Sequence, residues 1–133
     1  MIEFYAYLAG LIDGEGCFLV HKHANKKCSL GYSWQISMTI TQNNNAFLQS
    51  IINELGYGQL VNSRAHFIAF SSNYLRKLIP KIAPYLRIKK PQAELVMEAL
   101  SIAKLRIKHI NMERTNQRLE EIELELKKLK GVL

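Results

Sequence analysis

The stretch Leu8-Ala9-Gly10-Leu11-Ile12-Asp13-Gly14-Glu15-Gly16 is apolar, rich in small residues, acidic at Asp13 and Glu15, and broken by glycine. Gly10 and Gly14 lie four apart, so on a helix they share one face and let a second backbone approach closely. The acids follow at the end of that face. A helix C-terminus already carries partial negative charge, so acids there are disfavoured unless a cation offsets them. Carboxylates and backbone carbonyls are the oxygen ligands that Mg²⁺ and Ca²⁺ prefer. Should the partner helix be the same helix of a second copy, two carboxylates meet at one point, ready to hold divalent cations. The plainer alternative makes Asp13 and Glu15 exposed residues of an ordinary helix-to-strand turn.

Outward from this stretch, the chain has 133 residues, 48% of them hydrophobic, which suits one domain with its own core. No apolar run is long enough for a membrane span. Glu3 and Asp13 interrupt the N-terminal apolar run, so no signal peptide is expected. Two cysteines, Cys17 and Cys28, argue against a disulfide framework and for an intracellular, reducing compartment, cytoplasm or organelle. Charge is unevenly laid out. Between Gly16 and Lys90 stand Lys22, Lys26, Lys27, Arg64, Arg76, Lys77, Lys81, Arg87, Lys89 and Lys90, against the single acid Glu54. A middle section cleared of carboxylates fits a polyanion, nucleic acid ahead of an acidic protein or a membrane surface.

The strand after the opening helix shows how such a surface is built. Ser33, Gln35, Ser37, Thr39 and Thr41 alternate without exception against Trp34, Ile36, Met38 and Ile40. One face is core; the other carries uncharged hydrogen-bonding groups of the kind that read base edges in a major groove. Ser and Thr also simply suit exposed strands. Cys17 to His23 forms the partner strand, with Phe18 and Val20 inward and Leu19, His21 and His23 outward. Asn25, Lys26 and Lys27 fill the hairpin loop, placed for phosphates. Ten strand residues span about 33 Å, and one turn of duplex DNA is about 34 Å, so the ribbon fits one half-site.

The remaining pattern predicts a helix over 45–55 ended by Gly56, and a hairpin of 57–62 and 65–71 around Ser63 and Arg64. A helix over 72–82 follows, capped by Ser72 or Asn73 and kept short by Pro80 and Pro84. A long helix starts at Pro91. A separate C-terminal helix over 112–130 carries Leu119, Ile122, Leu126 and Leu129 as its apolar stripe, expected to pack on the same subunit.

The opening nine residues resemble the signature of the LAGLIDADG homing endonucleases, departing only by Gly14 for alanine and Glu15 for aspartate. The first change keeps the residue small and the second keeps a carboxylate. The resemblance implies an α+β fold, an αββαββα core with a curved antiparallel DNA-binding sheet plus C-terminal helices. It makes residues 1–133 a single domain of this family, with core 1–110. One copy of the motif implies a homodimer, its seam formed by Leu8, Ala9, Gly10, Asp13 and Gly14. The implied activity is site-specific, Mg²⁺-dependent double-strand cleavage of a long palindromic or pseudo-palindromic DNA site, leaving short 3′ overhangs. Mn²⁺ would substitute and Ca²⁺ would support binding without cleavage; neither a membrane nor a small-molecule substrate is implied.

The eighth letter of the motif, here Glu15, is the implied metal ligand, with the Gly14 carbonyl beside it. The sixth letter, Asp13, takes a structural place at the helix end. Gln42 matches a polar residue that orders water near the scissile phosphate. Lys89 matches a lysine near the attacking water, although Arg87 or Lys90 could take that place. Asn43, Asn44 and Asn45 stand where the family often has a basic residue. DNA contacts are expected from Leu19, His21, His23, Asn25, Lys26, Lys27, Ser33, Gln35, Ser37, Thr39, Ser63, Arg64 and His66. Two rivals stay open. Cys17, His21, His23 and Cys28 are plausible zinc ligands, although their spacing matches no common finger. An intron RNA maturase or a non-cleaving DNA-binding protein would use the same scaffold, though neither needs Glu15.

Overall fold

The structure is a computed structural model that describes residues 2–27, 31–107 and 112–131. Helix α1 (Ile2–Glu15) leads into strands β1 (Gly16–Ala24) and β2 (Tyr32–Thr41), helix α2 (Asn45–Leu55), strands β3 (Gln59–Asn62) and β4 (His66–Phe70), and helix α3 (Ser72–Ile82). A 3-10 turn at Ala83–Tyr85, α4 (Lys90–Ile107) and α5 (Met112–Leu129) complete the chain. The succession is the αββαββα order read from the sequence, with two C-terminal helices. The strands form one antiparallel sheet in the order β1-β2-β4-β3. No helix among the described residues is long and apolar enough to cross a membrane.

The chain packs as two units. Met1–Cys17 with Ser37–Pro91 form the first. Its core gathers Leu8 and Ile12 of α1, Met38 and Ile40 of β2, Leu48 of α2, Ile68 and Phe70 of β4, and Leu75, Leu78, Ile79 and Ile82 of α3. Register fixes which sheet face this is: Met38 pairs with Phe70, and Ile40 and Leu60 both pair with Ile68. Helices α2 and α3 both pack on β4. Local signals set the boundaries. The Asn44 side chain accepts from the Phe47 N–H at 3.0 Å and caps α2, whose end is the left-handed Gly56. Gly58 is also left-handed (φ 119°), and a Cβ there would meet Ile68 at 3.0 Å and Phe70 at 3.1 Å. Strand β3 therefore starts at Gln59, two residues later than the pattern suggested.

One expectation for α3 is corrected. Its cap is Ser71, not Ser72 or Asn73, while the helix keeps the expected bounds with Pro80 inside them. Proline removes one N–H near the C-terminal end, where little helix remains to be broken.

Phe18–Ile36 and Gln92–Leu133 form the second unit. Phe18, Val20 and Ile36 from the ribbon and Ala93, Val96, Ala99 and Leu100 from α4 are buried, with Leu119, Ile122 and Leu126 from α5. Thr115 extends that α5 stripe by one turn, whereas Leu129 is 48% exposed, so the stripe lies nearer the N-terminus than expected. Arg118 of α5 forks onto Glu98 of α4 at 2.5 and 2.9 Å and also reaches Glu121 and Glu125. The hydrogen bonds from Arg118 hold the Glu98 carboxyl below its usual range. This planar fork locks the two helices in register.

Candidate metal centre and nucleic-acid interface

Helix α1 ends at Glu15 with no basic residue in its last turn. The cation arrives from far along the chain. The half-buried Lys89 ammonium donates to the carbonyl of Ile12 at 3.0 Å and of Gly16 at 2.5 Å. Asp13 makes the reciprocal tie: its carboxylate accepts the backbone N–H groups of Arg87 (2.9 Å), Ile88 (3.1 Å) and Lys89 (2.9 Å). Partial burial pushes the Asp13 pKa up, but those three donors and the Lys89 ammonium reverse this and hold it below the ordinary aspartate value. Gly16 closes the corner, because a Cβ there would lie 2.7 Å from the Ile12 carbonyl oxygen.

The same corner leaves Glu15 exposed, one residue before Gly16, whose carbonyl Lys89 engages. A carboxylate next to helix-terminal carbonyls is a hard-oxygen donor set that fits Mg²⁺ or Ca²⁺. Within one chain this set is incomplete. Among the described residues no group of three or more His, Cys, Asp or Glu is placed to hold a metal. The zinc alternative has no such group either, and Cys28 lies outside the described residues. Of the three candidate bases, Lys89 bonds the α1 end through its ammonium, and Arg87 and Lys90 are exposed.

Helix α1 shows its other face to solvent. Ala6, Gly10 and Gly14 are exposed at four-residue spacing, and a Cβ added at Gly10 or Gly14 would meet nothing within 4 Å. Leu8 and Ala9 correct the expected seam: both are 0% exposed within the single chain, where their side of α1 faces the protomer's own core. Asp13 likewise directs its carboxylate to its own 87–89 turn.

Gln42 sits just past β2. Its Oε1 accepts the Asn43 N–H at 2.9 Å, and its N–H donates to the His66 carbonyl. The asparagine run after it is partly local chemistry, since Asn44 caps α2.

The polar row of β2 stands on the face away from the buried Ile36, Met38 and Ile40: Gln35 and Thr41 are exposed, and Ser33, Ser37 and Thr39 half-buried. On β1, Leu19 and His21 are half-buried and His23 exposed. Asn25, Lys26 and Lys27 begin the ribbon turn, where Asn25 Oδ1 accepts the Lys27 N–H at 3.0 Å. Ser63 and Arg64 are exposed at the tip of the second hairpin.

His66 is a correction. It shares the parity of Ile68 and Phe70, so it stands on the helix side of the sheet, and its Nδ1 lies 2.8 Å from Asn62 Oδ1. The same register reveals what the sequence reading missed. Thr39 and Gln59 both pair with Ala69, and Thr41 and Val61 both pair with Phe67, so Gln59, Val61, Phe67 and Ala69 share the face of the threonines. Residues on β3 and β4 could be assigned to a face only once the pairing was known.

Comparison with known proteins agrees with this geometry. Residues 8–95 match the family model described as LAGLIDADG endonuclease. The chain is 26% identical over 102 residues to DNA endonuclease I-CreI of Chlamydomonas reinhardtii, an alignment covering 74% of this chain and 63% of that protein. The chain thus spans less than two thirds of this relative. Its fold superposes on the homing endonuclease I-CvuI in complex with its target in the presence of 2 mM Ca, with a TM-score of 0.84 and 21% identity, over 96% of this chain and 82% of that one. An archaeal intron-encoded homing endonuclease, I-Vdi141I, complexed with DNA, gives 0.81 and 25% identity over 94% and 82%. The exposed acid at the end of a glycine-faced helix, the αββαββα order and the family match agree: this chain belongs to the LAGLIDADG endonuclease family.

Proposed function

We propose that two copies of this chain form a site-specific DNA endonuclease that cuts both strands of a long, near-palindromic duplex site and leaves short 3′ overhangs. The observation that carries this reading is Glu15, an exposed carboxylate at the end of a helix whose Gly10 and Gly14 are exposed, with open space where a Cβ would stand. Gly10 and Gly14 each lower helix stability by roughly 0.5–1 kcal/mol relative to alanine. A second α1 approaching along Ala6, Gly10 and Gly14 offsets that loss and brings two Glu15 carboxylates together.

The relatives support both the substrate and the cation: I-CvuI was crystallised with DNA targets in the presence of Ca or Mg. Glu15 and the Gly14 carbonyl would hold Mg²⁺, which supplies charge stabilisation for the attacking and leaving oxygens of phosphodiester hydrolysis. Lys89 keeps the Gly16 carbonyl and the α1 end in place, and its ammonium stands where anionic charge develops. Gln42 orients water by its amide, which needs only a rotation away from Asn43. The non-core face of β2 reads bases, and Lys26, Lys27 and Arg64 take phosphates.

The test is selection of cut sites from a random duplex library with Mg²⁺, and of bound sites with Ca²⁺. Glu15→Gln is expected to retain binding and lose cleavage by at least a thousandfold. Cleavage at the normal rate in that variant removes Glu15 from the role. No discrete cut with Mg²⁺ or Mn²⁺, together with tight binding of an intron transcript, would put an RNA maturase in its place.

A further inference from the structure

Helix α5 holds the first hairpin from behind. The Lys22 ammonium bonds Glu120 Oε1 at 2.6 Å and lies 4.6 Å from the ring centre of Tyr32 and 5.6 Å from that of Trp34. Trp34 Nε1 donates to Asn116 Oδ1 at 3.2 Å, and the Lys130 ammonium donates to the Phe18 carbonyl. Asn116 and Glu120 are four apart, one above the other on α5. The helix itself is anchored by buried Thr115, Leu119, Ile122 and Leu126.

The residues that α5 grips are the immediate neighbours of those expected to read bases. Lys22 stands between His21 and His23; Trp34 stands between Ser33 and Gln35. Successive strand side chains point to opposite faces, so pinning Lys22 and Trp34 on one side sets the tilt of the four readers on the other. Lys22 is also withdrawn from the basic surface, since its charge is turned to Glu120 and two rings. Base readout demands placement within a fraction of an ångström, which a free two-stranded ribbon does not hold by itself.

We propose that Asn116 and Glu120 are positioning residues for base recognition, setting the specificity of the ribbon without touching DNA. This rests on the reading of the chain as a duplex-binding protein. The test compares base preference along the half-site for the wild-type chain, Glu120→Gln, Asn116→Ala and Lys22→Met, with melting temperature measured for each. Discrimination at the positions read by the ribbon is expected to fall about fivefold to tenfold. Preference at the central base pairs, single-turnover rate at saturating protein and the dependence of affinity on salt are expected to stay unchanged. Lys22→Met combined with Glu120→Gln is expected to be no worse than either alone. Unchanged preference with a lowered melting temperature overturns the inference and leaves α5 a stabiliser only. A uniform loss of affinity with a shallower salt dependence in Lys22→Met overturns it as well, because Lys22 would then be a phosphate contact. If the wild-type chain selects no duplex site, the duplex reading falls first and this inference with it.

Discussion

Asp13 and Glu15, two residues apart in the motif, have opposite fates. Glu15 faces outward, while Asp13 is held by three backbone N–H groups of residues 87–89. The Asp13 pKa is depressed in the folded chain, so its contribution is present above the unfolded aspartate value and is lost as pH falls through the lower folded one. Asp13→Asn is expected to cost about 1–3 kcal/mol at pH 7, toward the low end because the site is partly solvated. That difference should start to shrink below about pH 4 in denaturant titrations, where the carboxylate of the unfolded chain takes up a proton, and go on shrinking until the lower folded value is passed. A difference constant from pH 7 to pH 3 would show that the charge on Asp13 is irrelevant. Lys89 separates into two roles by substitution. Lys89→Arg is expected to keep the carbonyl contacts and much of the melting temperature, whereas Lys89→Met loses both those contacts and cleavage, read by single-turnover kinetics. The acids themselves were legible in the sequence. Their division of labour came with the resemblance, which implied a structural place for Asp13, but the partner that fills that place was not legible, because it lies more than 70 positions away.

Among the elements, α1 and the first hairpin were the most legible, since glycine spacing and strict alternation are local signals. The bounds of α2 also followed from its apolar spacing and Gly56. Faces of β3 and β4 were less so: both are short, and only the pairing of β4 with β2 and of β3 with β4 showed that Gln59 joins the polar face and His66 leaves it. Leu8 and Ala9 were misread as seam because apolar and small residues serve a core and a helix contact equally well. The glycine face permits a sharp test. Gly10→Ala is expected to stabilise the isolated chain by roughly 0.5–1 kcal/mol, since the new methyl meets nothing. It should at the same time weaken self-association, measured by sedimentation across a concentration series. Equal or stronger association in Gly10→Ala would place the seam elsewhere. Gly58→Ala behaves oppositely: its left-handed backbone and the close Ile68 and Phe70 side chains make a loss of about 2 kcal/mol the expected result.

Across the whole molecule, charge was legible as a quantity but not as a map. Ten basic residues stand between Gly16 and Lys90, yet Lys22 is turned to Glu120 and Lys89 to backbone carbonyls. The remainder includes Lys26, Lys27 and Arg64, exposed at hairpin tips and proposed above as phosphate contacts. Arg64→Ala is expected to weaken binding about equally on matched and scrambled duplexes and to reduce the salt slope by about one. A loss confined to the matched site would make Arg64 a base reader. The tie between the end of α1 and residues 87–89 also orders events in time. As the chain emerges from the ribosome, the motif comes first, but the donors and the ammonium that neutralise its end come more than 70 residues later. Closing so long a loop is slow relative to local helix formation. The acidic corner thus stays unclamped until most of the first unit has been synthesised, so the proposed metal site is completed only after all four strands exist.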